Sequence, residues 1–120
     1  MPPAIVRLEF AGGMSAADEA AYLDTLDRLS MRDAPFVVVA LMDGRNPLSP
    51  YSRKRQALWF KGSRAHLGAW CRGLVRVPRG IARASLGDEA LARALPFPLA
   101  HAASEAEGLR IARRLLAGSR

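Results

Sequence analysis

Hydrophobic spacing changes period several times along this chain, and each change marks an element. Residues 4–10, Ala-Ile-Val-Arg-Leu-Glu-Phe, mix β-branched and aromatic residues with partial alternation, the pattern of a strand. Ala11-Gly12-Gly13 breaks it. Ser15 then stands as an N-cap, with Asp18 three residues on in the capping-box position and Glu19 beside it. Ala17, Ala20 or Ala21, Leu23 or Asp24, Leu26 and Leu29 recur at helical spacing through Ser30. Residues 36–42 are continuously apolar and rich in valine, which suits a central parallel strand covered on both faces. After the loop from Asp43 to Pro50, Ser49 and Pro50 form a helix start, and the helix is expected to reach about Ala69. Tyr51, Leu58, Ala65 and Ala69 lie along one stripe of it, with Arg53, Lys54, Lys61 and Arg64 off the stripe. Gly62 and Gly68 weaken it by about 1 kcal/mol each relative to alanine.

The second half reads in the same way. Residues 73–77 form a third short strand, 81–94 a third helix interrupted by Gly87, and 96–102 a short edge strand limited by two prolines. Ser104-Glu105-Ala106-Glu107 approximates a capping box for a last helix, with Leu109, Ala112 or Arg113, and Leu115 or Leu116 on its apolar face through Ala117 and Gly118 after its end. The order is β-α-β-α-β-α-β-α with short connections. That order predicts the α/β class: a single domain over 1–120 with a mainly parallel four-stranded sheet, helices on its faces and right-handed crossovers.

Charge changes the picture more than composition does. The chain has 120 residues and a formal net charge of +7, and the excess sits in one segment. The first 44 residues are net acidic, whereas 45–83 carries ten cations and no carboxylate. That segment also holds both tryptophans, the single cysteine and His66. A basic block raises the prospect of an anionic partner, although arginine dominates the cations throughout and so reflects compositional bias as well. One cysteine excludes an intrachain disulfide and a thiolate-rich metal site, and fits a reducing compartment. The first ten residues lack the apolar run of a signal peptide, and no apolar run approaches the ~20 residues of a membrane span, so a cytoplasmic address is expected.

Catalytic constellations are sparse. Cys71 with His66 is the nearest approach to a thiolate nucleophile, and Arg72 would favour a lowered thiol pKa; a structural cysteine entering a strand explains the same residue. Two histidines without nearby carboxylates make no metal site, and no cofactor is expected. Asp43 sits where parallel sheets place ligands, at the carboxyl end of a strand, and is equally a turn residue before Gly44. The glycine pairs lack phosphate-loop spacing. Tyr51, Trp59, Phe60 and Trp70 interleave with the basic block, as in a stacking surface for nucleic acid, but aromatics at helical spacing are more often core.

Several stretches together resemble the STAS-like domains of the anti-sigma-factor-antagonist fold, and within them the small bacterial SpoIIAA-like proteins. They are Tyr22-Leu23-x-x-Leu26 at the end of the first helix, Pro35-Phe36-Val37-Val38-Val39, the basic helix leading to Cys71-Arg72-Gly73-Leu74-Val75, and Ala103-Ser104-Glu105-Ala106. The resemblance implies a non-enzymatic regulatory module whose partner surface surrounds the helix after the central strand. It also implies a phosphorylatable serine at that helix's start, matched by topology to Ser49 and Ser52, with Arg53 and Arg55 close by. The Asp-Ser-Ser-Gly style of that branch is absent, since the chain reads Asn46-Pro47-Leu48-Ser49-Pro50, and Ser49 is also explained as a helix cap. The N-terminal strand pair usual there is reduced to one clear strand.

The expectation is therefore a non-catalytic regulatory or protein-interaction module. Its protein partner, or a second copy of the chain, would meet Asp43, Ser49, Ser52, Arg53 and Arg55. The alternative is an anion- or nucleic-acid-binding face in the basic 45–83 segment.

Overall fold

The valine-rich run becomes the most deeply buried strand of the protein. The computed structural model describes residues 4–10, 15–43, 48–79 and 93–118. In chain order the described elements are β1 (Ile5–Phe10), α1 (Ala16–Leu29), β2 (Phe36–Asp43), α2 (Pro50–Trp70), β3 (Cys71–Arg79), β4 (Leu99–His101) and α3 (Glu105–Ala117). The four strands form one sheet in the order β1-β2-β3-β4, and every pairing is parallel. Most of the helix expected over 81–94 lies outside the described residues; Arg93 and Ala94 are helical.

Three layers result. Val37, Val39 and Leu41 of β2, with Val75 and Val77 of β3, face α3 and pack against Ala112, Leu109 and Leu115. Phe36 and Val38, with Leu74 and Cys71, face the other way, onto Leu26 and Leu29 of α1 and Trp59, Phe60 and Leu67 of α2. Every β2 residue from Phe36 to Leu41 is thus buried, which is why the run never alternates. A fully buried valine contributes about 1.5–3 kcal/mol relative to an exposed one, so this strand anchors both cores.

One extra residue in β3 sets which side chain faces which layer. Phe36 pairs with Cys71 but Val37 pairs with Gly73, so the register slips by one at Arg72. The slip puts Cys71 on the α1/α2 side while Gly73 faces α3, where an added Cβ would lie 2.6 Å from Leu115 Cδ1. Strict alternation would have placed both on one face.

The caps follow their sequence signals. Ser15 and Asp18 form a reciprocal capping box, Ser49 accepts from Ser52 N–H, and Ser104 accepts from Glu107 N–H. An Arg7 Nε–Glu105 Oε2 contact of 2.8 Å ties β1 to the start of α3. Three sequence expectations change, the first being that the edge strand expected over 96–102 is confined to Leu99–His101. The third strand is longer than 73–77, since the β2 partner extends it to nine residues. The Tyr51–Leu58–Ala65–Ala69 stripe of α2 points outward: Tyr51 is 67% and Leu58 58% exposed. The inward face instead carries Ser52, Gln56, Trp59, Phe60, Ser63 and Leu67.

Candidate functional site

Helices α1 and α2 do not close fully onto the sheet. Between them and the strands lies a partly open cavity of about 410 Å³. Its floor comes from alternate residues of three strands: Leu8 of β1, Val38 and Ala40 of β2, Leu74 and Arg76 of β3. Tyr22, Leu26 and Leu29 of α1 form one wall, and Gln56, Trp59, Phe60 and Leu67 of α2 the other. Leu48, Leu95 and Phe97, with Phe36, Ala57 and Cys71, complete the described lining. Volume and chemistry match the usual small-molecule site, mostly apolar with a few placed polar groups.

Those polar groups are specific. The Tyr22 hydroxyl donates to Gln56 Oε1 across the helix pair. Burial pushes the Tyr22 phenol up to about 12, so it stays a neutral donor. The indole N–H of Trp59 is shielded from solvent and has no hydrogen-bond partner among the described residues. Such a donor carries a desolvation cost that the surrounding apolar atoms do not offset. Among the described residues, Arg76 is the one formally charged residue in the lining.

The residues expected at the head of α2 are arranged differently from a free phosphorylation site. Ser49 is half-buried and Ser52 is only 3% exposed. Ser49 Oγ caps Ser52 N–H at 3.2 Å, and Ser49 N–H donates to Glu19 Oε1 at 2.9 Å. The Ser52 hydroxyl, followed by the Ser49 backbone and hydroxyl, hydrogen-bonds the Glu19 carboxylate and holds it below its ordinary pKa. A phosphate on either serine would meet that carboxylate at close range. Asp43 closes β2 opposite Arg79 of β3, and Asn46 falls outside the described residues. Arg53, Lys54 and Arg55 are all exposed on the first turns of α2, followed along the same helix by exposed Lys61 and Arg64. Four of the named positions therefore divide: Ser49 and Ser52 turn inward to α1, while Arg53 and Arg55 face solvent.

Cys71 and His66 do not form a pair. Burial raises the Cys71 thiol to about 11, with neighbouring Arg72 pulling weakly the other way, so the lowered pKa anticipated from Arg72 does not arise. The Cys71 Sγ contacts Gly73 O at 3.4 Å, and a ring nitrogen of His66 contacts the backbone oxygen of Arg32. Among the described residues, no three histidine, cysteine or carboxylate side chains gather as metal ligands. No described helix is long and apolar enough to cross a membrane.

Sequence reasoning missed the residues that matter most here: Glu19, Tyr22, Gln56, Trp59 and Arg76. Their signal was weak. Tyr22, Gln56 and Trp59 share a site only because α1 and α2 lie side by side on one face of the sheet, and Arg76 joins them only through the register of β3 with β2. Protein-family models, curated proteins and solved structures all return no match to this chain.

Proposed function

We propose that this chain is a non-catalytic binding module of STAS-like type, in which a small apolar molecule enters the space between the sheet and helices α1 and α2. The single observation behind this reading is the 410 Å³ cavity with its predominantly apolar lining. A ligand there would touch α1 and α2 together, and so would change how the head of α2 is presented to a protein partner. The STAS-like part of the reading rests on the sequence features and on the β-α alternation with its parallel sheet. The non-catalytic part is supported by Cys71, whose thiol is buried and raised, and by Ser52, whose hydroxyl is committed to Glu19.

Tryptophan fluorescence tests it directly, because Trp59 lines the cavity. Titration with decan-1-ol should give a saturable change. Ala40→Leu on the floor, and Ala57→Trp on the α2 wall, should abolish the change while the chain stays folded. A wild-type response that is linear and identical in both variants would sink the reading.

A second reading draws on a different observation. The exposed side of α2 carries Arg53, Lys54, Arg55, Lys61 and Arg64, and no acidic residue occurs anywhere in the helix. That face suits a polyanion, and binding through it would weaken steeply as salt rises. A charge-reversed α2 face that still bound nucleic acid unchanged would remove it.

A further inference from the structure

We infer that the ligand of this cavity is a single-headed amphiphile: an apolar body ending in a carboxylate, held with its head toward the carboxyl ends of the strands. This inference rests on the cavity reading above and names the ligand class for the same site.

The lining is graded along the strand direction. At the amino ends of β2 and β3 the wall is Phe36 and Cys71, joined by Leu29 near the end of α1 and Leu67 near the end of α2. All four are buried. Further along, the composition changes. Arg76 pairs in register with Ala40, five residues past Cys71 on β3. Because α2 runs back from the carboxyl end of β2, its early residue Gln56 lies toward that same end. Tyr22 donates to Gln56 there. One end of the space is therefore wholly apolar, while Arg76, Gln56 and Tyr22 gather toward the other beside Leu8, Ala40 and Leu48, the profile of a site for a molecule with one head.

The polar end offers several donors and a cation, with no carboxylate among the described lining residues. Gln56 Oε1 accepts from Tyr22, and the Gln56 amide nitrogen brings two further N–H donors to this end. Trp59, which lines the cavity, contributes an N–H with no partner among the described residues. Arg76 contributes a cation, and no aspartate or glutamate lines the cavity among the described residues. Such a set favours an anionic acceptor and repels a cationic head. Carboxylate is the compact choice that also carries a hydrocarbon body. A cavity of about 410 Å³ lies in the range of small-molecule sites, and a medium-chain monocarboxylate is the compact form of such a ligand.

The test compares three ten-carbon probes on the full chain at about pH 8, where the acid is ionised, and below micellar concentrations. Tryptophan fluorescence follows decanoate, decan-1-ol and decyltrimethylammonium. Decanoate should bind at least about tenfold more tightly than the alcohol, the scale of a charge-assisted hydrogen bond, and the cation should bind most weakly. Arg76→Gln should erase the preference for the acid and leave the alcohol within about twofold of wild type, whereas Arg76→Lys, which keeps the charge, should retain most of it. Thermal melts verify that each variant is folded; should Arg76→Gln fail to fold, the wild-type ranking and Arg76→Lys decide. Equal affinity for acid and alcohol, or tightest binding of the cation, would overturn the carboxylate inference and leave the cavity reading standing. Saturation by none of the three would overturn both.

Discussion

The Glu19 carboxylate accepts the backbone N–H of Ser49 at 2.9 Å, so the first turn of α1 holds the N-cap of α2. Thirty residues separate the two in sequence, and the contact fixes where the second helix leaves the carboxyl end of the sheet. Because the Ser52 hydroxyl and both Ser49 donors bind the ionised form, Glu19 titrates below its ordinary value of 4.5. A carboxylate with a depressed folded pKa contributes stability that is fully present above the unfolded value and is lost as pH falls through the folded one. Glu19→Gln should therefore be less stable than wild type at pH 7, and the gap should close as the pH drops below 4.5. Urea unfolding of both proteins at neutral and acid pH measures this. A gap independent of pH would show that the carboxylate charge contributes nothing there.

The same junction predicts opposite uses for its two serines. Ser49→Ala removes a helix cap and should cost about 1 kcal/mol, with the fold retained. Ser52→Asp buries a second carboxylate against Glu19 and should cost more, on the order of 2–3 kcal/mol. Urea midpoints of the two variants give the ranking, and a silent Ser52→Asp would mean that the head of α2 opens freely.

Two glycines in helices should respond in opposite directions. Gly62 on the exposed side of α2 has nothing within 4 Å of an added Cβ, so Gly62→Ala should stabilise by about 0.5–1 kcal/mol. Gly108 on α3 sits against the sheet, where an added Cβ would lie 3.0 Å from Val77 Cγ2 and 3.5 Å from Val39 Cγ1. Gly108→Val should cost about 2–3 kcal/mol by forcing α3 off the two central strands. Differential scanning calorimetry on the pair resolves both signs.

Cys71 should be chemically inert in the native state. Its side chain is buried and its thiol is raised to about 11, so little thiolate exists at pH 8 and a reagent has poor access to it. An aromatic disulfide reagent should label it only at the rate of protein opening, with labelling accelerated by urea in step with unfolding. Rapid labelling of the folded protein would contradict the packing of β3 against α1 and α2.

Much of the architecture was readable along the chain because its signals are local. Ser15 with Asp18, Ser49 with Pro50, and Ser104 with Glu107 each satisfy orphan helix donors over three or four residues, and the structure retains all three helix starts. Phe36–Ala40 lacks alternation because both its faces are buried, a property visible in its composition alone. These features determined the elements, their order and the parallel central strand.

The site lay beyond that reach. Tyr51 and Leu58 on one side of α2 are as hydrophobic as Trp59 and Leu67 on the other, so the helix itself does not say which side turns inward. The position of the sheet decides it. The slip at Arg72 then determines which β3 side chains face α1 and α2, and sends Arg76 into the cavity. Ser49 and Ser52 could be named as the head of a helix, but their commitment to Glu19 depended on α1 packing beside α2. Local hydrogen bonding and burial period are written into short stretches of chain; facing, register and the meeting of distant polar groups arise only when those stretches share one sheet.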